Sequence, residues 1–76
     1  MPLSERQKQI MKHLIVDGMT AKEIGAVMGG ISKSTVTKHF QKIRKKLGAK
    51  SMYQAVGYLV GAGIIEIDGQ NSPVPP

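Results

Sequence analysis

Ser32-Lys-Ser-Thr-Val-Thr-Lys-His-Phe-Gln-Lys-Ile-Arg-Lys-Lys-Leu-Gly48 combines a helix-start signal, an apolar stripe, a helix-stop signal and most of the positive charge of the chain. Val36, Phe40, Ile43 and Leu47 recur at i, i+4, i+7 and i+11, the spacing that lines up one buried face of an α-helix. The opposite face carries Lys38, Gln41, Lys42, Arg44 and Lys45, with Lys33, Thr37 and Lys46 at its sides and no carboxylate to neutralise the field. Ser32 is placed to accept from the first free backbone N–H groups, and Gly48 to take the left-handed conformation that closes a helix.

The rest of the chain is scaled to support one such helix. Its 76 residues, 41% hydrophobic, make a single small domain near the lower limit of what folds without disulfides or metal. With no cysteine, a disulfide framework and a zinc–cysteine site are excluded, and a reducing cytoplasm is the expected compartment. Two histidines alone do not make a metal site, and no cofactor is expected. The longest charge-free stretch, residues 51–65, falls short of the roughly 20 residues that cross a bilayer. Met1-Pro2-Leu3 runs straight into a polar helix, so no signal peptide is expected, and the chain reads as soluble with no membrane partner. The net charge of +6 is unevenly placed. Lys33, Lys38, Lys42, Arg44, Lys45, Lys46 and Lys50 lie within residues 32–50 without a single acid, while the remainder nearly balances. A basic run is often no more than a solvated face. Concentration on one helix is instead the electrostatic footprint of a nucleic-acid-binding element.

Before this helix, Ser4-Glu-Arg-Gln7 forms a capping box that opens a first helix running to about Val16, with Ile10, Met11, Leu14 and Ile15 inward and Leu3 as a hydrophobic staple. Asp17-Gly18 ends it. Thr20-Ala-Lys-Glu23 is a second capping box, and the short helix it opens points Ile24, Val27 and Met28 inward before Gly29-Gly30 stops it. Gly25 lies inside that helix at a cost of roughly 1 kcal/mol relative to alanine, which calls for close approach of another helix. A short helix, a tight glycine-containing turn and a basic helix make a helix-turn-helix, whose second helix enters a major groove. After it, Ser51-Met-Tyr-Gln54 gives a third Ser-to-Gln signal, opening a fourth helix that runs to about Ala62, with Gly63 as its stop. Met52, Ala55, Val56, Leu59 and Ala62 form one apolar face. Tyr53, Gly57, Val60, Gly61 and Ile64 form a second, uncharged face, which suits a two-fold homodimer interface. Residues 64–67 alternate weakly, as a short extended segment against the first helix. Asp68-Gly69 signals a turn, and a proline-containing tail reads as flexible.

Leu3-Ser-x-Arg6, Gly18-x-Thr20, Lys22-Glu-Ile24, Ile31-Ser32, Thr35-Val36, His39, Lys46-Leu47-Gly48, Ser51 and Ala55-Val56 together resemble the LuxR/GerE-type helix-turn-helix domain of bacterial transcription regulators. The resemblance covers residues 3–65, with 66–76 as the extended segment and tail. It implies an all-α domain of four helices, the third being the recognition helix and the fourth the dimerisation element. It also implies that Thr37, Lys38 and Gln41 face base edges and that His39 contacts a phosphate. Lys33, Ser34, Thr35, Lys42, Lys45, Lys50 and Ser51 suit phosphates by position and chemistry, and the start of the fourth helix adds backbone N–H groups and a positive dipole end. Three features depart from the family pattern: Gln7 where an acid is usual, Met52 where an arginine is usual, and a turn at Gly29-Gly30 one residue longer.

The implied function is sequence-specific binding of double-stranded DNA by a transcription regulator, either standing alone or as the C-terminal part of a longer one, in the cytoplasm at the nucleoid. Two alternatives share the fold. A sigma-factor region 4-like module would bind promoter DNA with RNA polymerase as its partner; a protein-interaction module would use the fourth helix to titrate another regulator. Catalysis is not expected. Gly25-Ala-Val-Met-Gly-Gly30 has P-loop glycine spacing but Ile31 stands where the lysine must be, residues 61–66 fail the dinucleotide pattern at its last glycine, and no Ser/His/Asp set is credible in so small a chain. His13 reads as an ordinary boundary residue, and Met11, Met28 and Met52 as core filler.

Overall fold

The computed structural model describes residues 3–67, and these form four helices: α1 (Glu5–Ile15), α2 (Ala21–Val27), α3 (Lys33–Leu47) and α4 (Met52–Gly61). The proline-containing tail and the Asp68-Gly69 turn signal lie outside the described residues. Among those described there is no strand: residues 62–65 turn and bend, and 66–67 have no regular structure. No described helix is long and apolar enough to cross a membrane.

Each helix starts at an N-cap hydroxyl. Ser4 Oγ accepts from the Gln7 N–H at 3.1 Å while Gln7 Oε1 accepts from the Ser4 N–H at 3.1 Å, and Thr20 with Glu23 repeats the exchange. Ser32 Oγ caps α3 through the Thr35 N–H at 3.2 Å. At α4 the Ser51 hydroxyl accepts from the Gln54 N–H at 3.2 Å, but the Gln54 side chain reaches one residue further back, to the Lys50 N–H at 2.6 Å. The box therefore encloses the last residue of the α3–α4 connection. Gly48 ends α3 at φ 65°.

Two clusters share the core. Leu3, Met11, Ile43, Leu59 and Ile65 form one, and Ile10, Ile24 and Val36 the other. Leu14 and Phe40 pack against both. The apolar stripe of α3 thus spans the molecule: Val36 enters one cluster, Ile43 the other, and Phe40 joins them. Truncating either Val36 or Ile43, both fully buried, would cost on the order of 2–4 kcal/mol.

Several expectations are corrected. Val27 is 53% exposed rather than inward, because α2 is only seven residues long and ends there. Ala62 is exposed at the end of α4. Leu3 is buried, but the residue four places into α1 is Lys8, so Leu3 packs into the first cluster instead of forming a staple. Residues 64–67 do not form an extended strand; Ile65 drops into the core beside Leu3 and Met11. At Gly25 the close neighbour is the turn of its own motif, not another helix. A Cβ there would collide with the Ile31 carbonyl oxygen, and the Val36 side chain of α3 is only in ordinary contact at 3.5 Å. The Gly25 carbonyl in turn accepts from both Gly30 and Ile31 N–H groups at 3.0 Å, with Gly29 and Gly30 at φ 96° and 80°. That pinned double-glycine turn sets where α3 begins.

Candidate nucleic-acid interface

The face of α3 away from the core is continuous and basic. Lys33, Thr37, Lys38, Gln41, Lys42 and Lys45 are all exposed. At a rise of about 1.5 Å per residue, the stretch from Lys33 to Lys45 runs for roughly 18 Å, long enough to follow a major groove about 12 Å wide. Thr37 Oγ1 donates to the Lys33 carbonyl at 3.0 Å. Its proton is therefore spent within the helix, and the oxygen is left to accept from an adenine or cytosine amino group.

Phosphate candidates lie at both ends of this face. Ser32, Ser34 and Thr35 share a hydroxyl cluster at the start of α3, with Oγ separations from Ser32 of 3.1 and 2.9 Å. Lys50 and Ser51 are exposed in the α3–α4 connection. The amide donors expected there are partly used up, since Lys50 N–H and Gln54 N–H are taken by side chains. Arg44 leaves the basic face as well. It is half-buried, and its Nη1 donates to the Lys50 carbonyl at 3.4 Å, which braces the connection. Lys46 Nζ donates to Gln7 Oε1 at 2.9 Å and so joins α3 to α1.

His39 is half-buried at the edge of the stripe, with Nδ1 enclosed and without a hydrogen-bond partner. Burial, then the Arg6 guanidinium and the Lys42 ammonium, hold its pKa below 6.5. At neutral pH the ring is uncharged, so as a phosphate contact it would bring a hydrogen bond and no net charge. His13, by contrast, sits 2.8 Å from Asp17 across the end of α1. The Arg6 effect exposes a residue that periodicity on α3 does not reveal: a cation of α1 lies near the basic face. In the sequence Arg6 appears only as part of the Leu3-Ser-x-Arg6 match beside the capping glutamine, with nothing there to place it near α3.

On α4, Ala55 and Leu59 are buried and Tyr53 is 91% exposed. Gly57 and Gly61 are exposed, with open space where a Cβ would stand, and Val60 is half-buried. Ile64 was expected on the same face from helical spacing, but Gly63 at φ 72° has already ended the helix, and Ile64 packs against the first cluster. Among the described residues no group of three or more His, Cys, Asp or Glu side chains could hold a metal ion.

The pattern describing the luxR family of bacterial regulatory proteins, GerE, matches residues 1–59. The transcriptional activator protein PhzR of Pseudomonas fluorescens is 40% identical over 62 residues, covering 82% of this chain and 25% of that protein. The chain thus spans about a quarter of the length of that curated relative. No solved structure matches it. Two capped helices, a glycine turn, a basic third helix and an uncharged fourth occur here within a span that the family pattern covers almost entirely, and the chain belongs to the luxR family of bacterial regulatory proteins.

Proposed function

We propose that this domain binds double-stranded DNA sequence-specifically as the DNA-reading part of a transcription regulator, with α3 in the major groove. The observation that carries the reading is the exposed face of α3, where Lys33, Lys38, Lys42 and Lys45 stand without a carboxylate while the other face is locked into both core clusters. Thr37, Lys38 and Gln41 are the base-facing residues. Lys33, Ser34, Thr35, His39, Lys42, Lys45, Lys50 and Ser51 are the phosphate-facing ones. The name of PhzR, a transcriptional activator, supports a regulatory role, and RNA polymerase is a further partner within this reading. The setting is the bacterial cytoplasm at the nucleoid, and no catalytic step enters.

The uncharged face of α4, with Tyr53, Gly57, Val60 and Gly61, pairs two copies about a two-fold axis, while Ile64 belongs to the core side. Exposed Tyr53 and the open space at Gly57 and Gly61 support close approach of a partner helix. Two copies of α3 would then address half-sites about 34 Å apart.

The deciding experiment is a salt titration of affinity for a labelled duplex. With about six phosphates contacted, log K falls against log salt with a slope near −5. A slope near zero would remove DNA binding and leave the α4-mediated titrator as the reading.

A further inference from the structure

The seam between α1 and α3 is fixed at two points. Gln7 Oε1 accepts from Lys46 Nζ at 2.9 Å, and Ile10 is fully buried with Val36 and Phe40. Arg6 precedes the first anchor by one residue and the second by four, which stands it on the flank of α1 that borders α3. His39 and Lys42 precede the core residues Phe40 and Ile43 by one, on the adjoining flank of α3. Arg6 and Lys42 are exposed, and both charges act on the His39 ring between the helices.

The described acids are committed elsewhere. Glu5 pairs with Lys8 at 3.4 Å, Asp17 with His13 at 2.8 Å, Glu23 caps α2 through the Thr20 N–H, and Glu66 lines the cleft on the Lys8 and Lys12 side of α1. Among the described residues, then, no carboxylate pairs with Arg6 or Lys42. The fold thus sets both cations within electrostatic reach of one imidazole across a tertiary contact. Such an arrangement works against folding by repulsion unless an anion neutralises it. Along the edge of a groove occupied by α3, the anion at hand is the DNA backbone.

We infer that Arg6 is a DNA-phosphate contact: the interface extends from α3 onto the first turn of α1, where Arg6 and Lys42 grip the backbone on either side of His39. The inference rests on the DNA-binding reading above, and its test separates the two. Affinity is measured by fluorescence anisotropy on a labelled random-sequence duplex of about 20 base pairs, two turns of DNA, across a salt series, for wild type, Arg6→Ala, Arg6→Lys and Lys12→Ala. Lys12 is exposed on the cleft side of α1, away from the seam, and controls for loss of one positive charge. Removing one phosphate contact should make the salt slope shallower by about 0.9 and weaken binding about eightfold at 0.1 M salt.

The expected result is that loss for Arg6→Ala, recovery by Arg6→Lys, little change for Lys12→Ala, and a thermal melt for Arg6→Ala no lower than that of wild type. Three results overturn the inference while leaving DNA binding intact: a steep wild-type slope that Arg6→Ala does not alter, equal losses in Arg6→Ala and Lys12→Ala, or a loss in Arg6→Ala that Arg6→Lys does not repair. A wild-type slope near zero overturns both.

Discussion

The same substitution, glycine to alanine inside a helix, should have opposite signs at two positions of this domain. At Gly57 a Cβ meets nothing within 4 Å, so alanine gains only its propensity advantage of about 1 kcal/mol. For a domain of this size that raises the melting temperature by about 4–8 °C. At Gly25 the same gain is available, but the Cβ collides with the Ile31 carbonyl oxygen, a backbone atom that cannot rotate away. Relief requires the turn to move, and that strains the two hydrogen bonds by which Gly30 and Ile31 hold the Gly25 carbonyl. Each is worth about 1 kcal/mol, and overpacking adds about 1–3 kcal/mol. Set against the propensity gain, Gly25→Ala should lose about 2–4 kcal/mol and melt roughly 10–30 °C lower. Thermal unfolding followed by far-ultraviolet circular dichroism at low protein concentration, where dimerisation does not contribute, measures both. If Gly25→Ala melts at or above wild type, the turn does not need its close approach to α2, and the packing argument for that glycine fails.

Lowering the pH should destabilise the domain through His39. Its folded pKa lies below the unfolded value of 6.5, so the stability of the neutral ring is fully present above pH 6.5 and is lost as the pH falls from there toward the folded pKa. His39→Gln should flatten that part of the melting-temperature profile, and an identical decline in wild type and variant would show the histidine is not responsible. Lys38→Ala should alter relative binding among site variants by about 1–3 kcal/mol; uniform weakening of every sequence would reassign Lys38 to a phosphate. Gly57→Glu on the outer face of α4 should leave helicity intact and abolish cooperative binding to paired half-sites, since like charges face to face cost several kcal/mol. Cooperativity equal to wild type would exclude α4 as the dimer element.

Features set by neighbours close in sequence were legible without the structure. The boxes at Ser4–Gln7 and Thr20–Glu23 depend on residues three apart, and the stripe of α3 depends only on helical spacing, so both appear where expected. What spacing could not supply is which end of an apolar stripe has a partner. Val27 and Ala62 occupy the correct faces of their helices, but each lies at a helix end, where nothing covers it. Ile65 shows the converse: it follows a helix stop, where periodicity no longer applies, and yet it is buried. On the candidate interface, the α3 residues were legible because they share one helix. Arg6 and Arg44 were not, because their places depend on how α1 and the α3–α4 connection pack against α3.

Gln7 joins the capping of α1 to the electrostatics of the interface. Its Oε1 accepts both the Ser4 N–H and Lys46 Nζ, so it closes a local cap and a tertiary contact with a single oxygen. The LuxR-type pattern usually has an acid at this position, and a carboxylate would make both bonds more strongly. It would also place a negative charge one residue from Arg6, against the flank of α3 that carries Lys42 and Lys46. The amide keeps the geometry and leaves the field at that seam uncompensated. A second departure fits the same balance: Met52, where an arginine is usual, packs against the first core cluster and asks for no acidic partner. Loss of the acid and loss of the base cancel in net charge but not in place, since the acid is removed beside α3 and the base from the start of α4. A duplex lying along α3 and the first turn of α1 therefore meets a more positive surface than the net charge conveys.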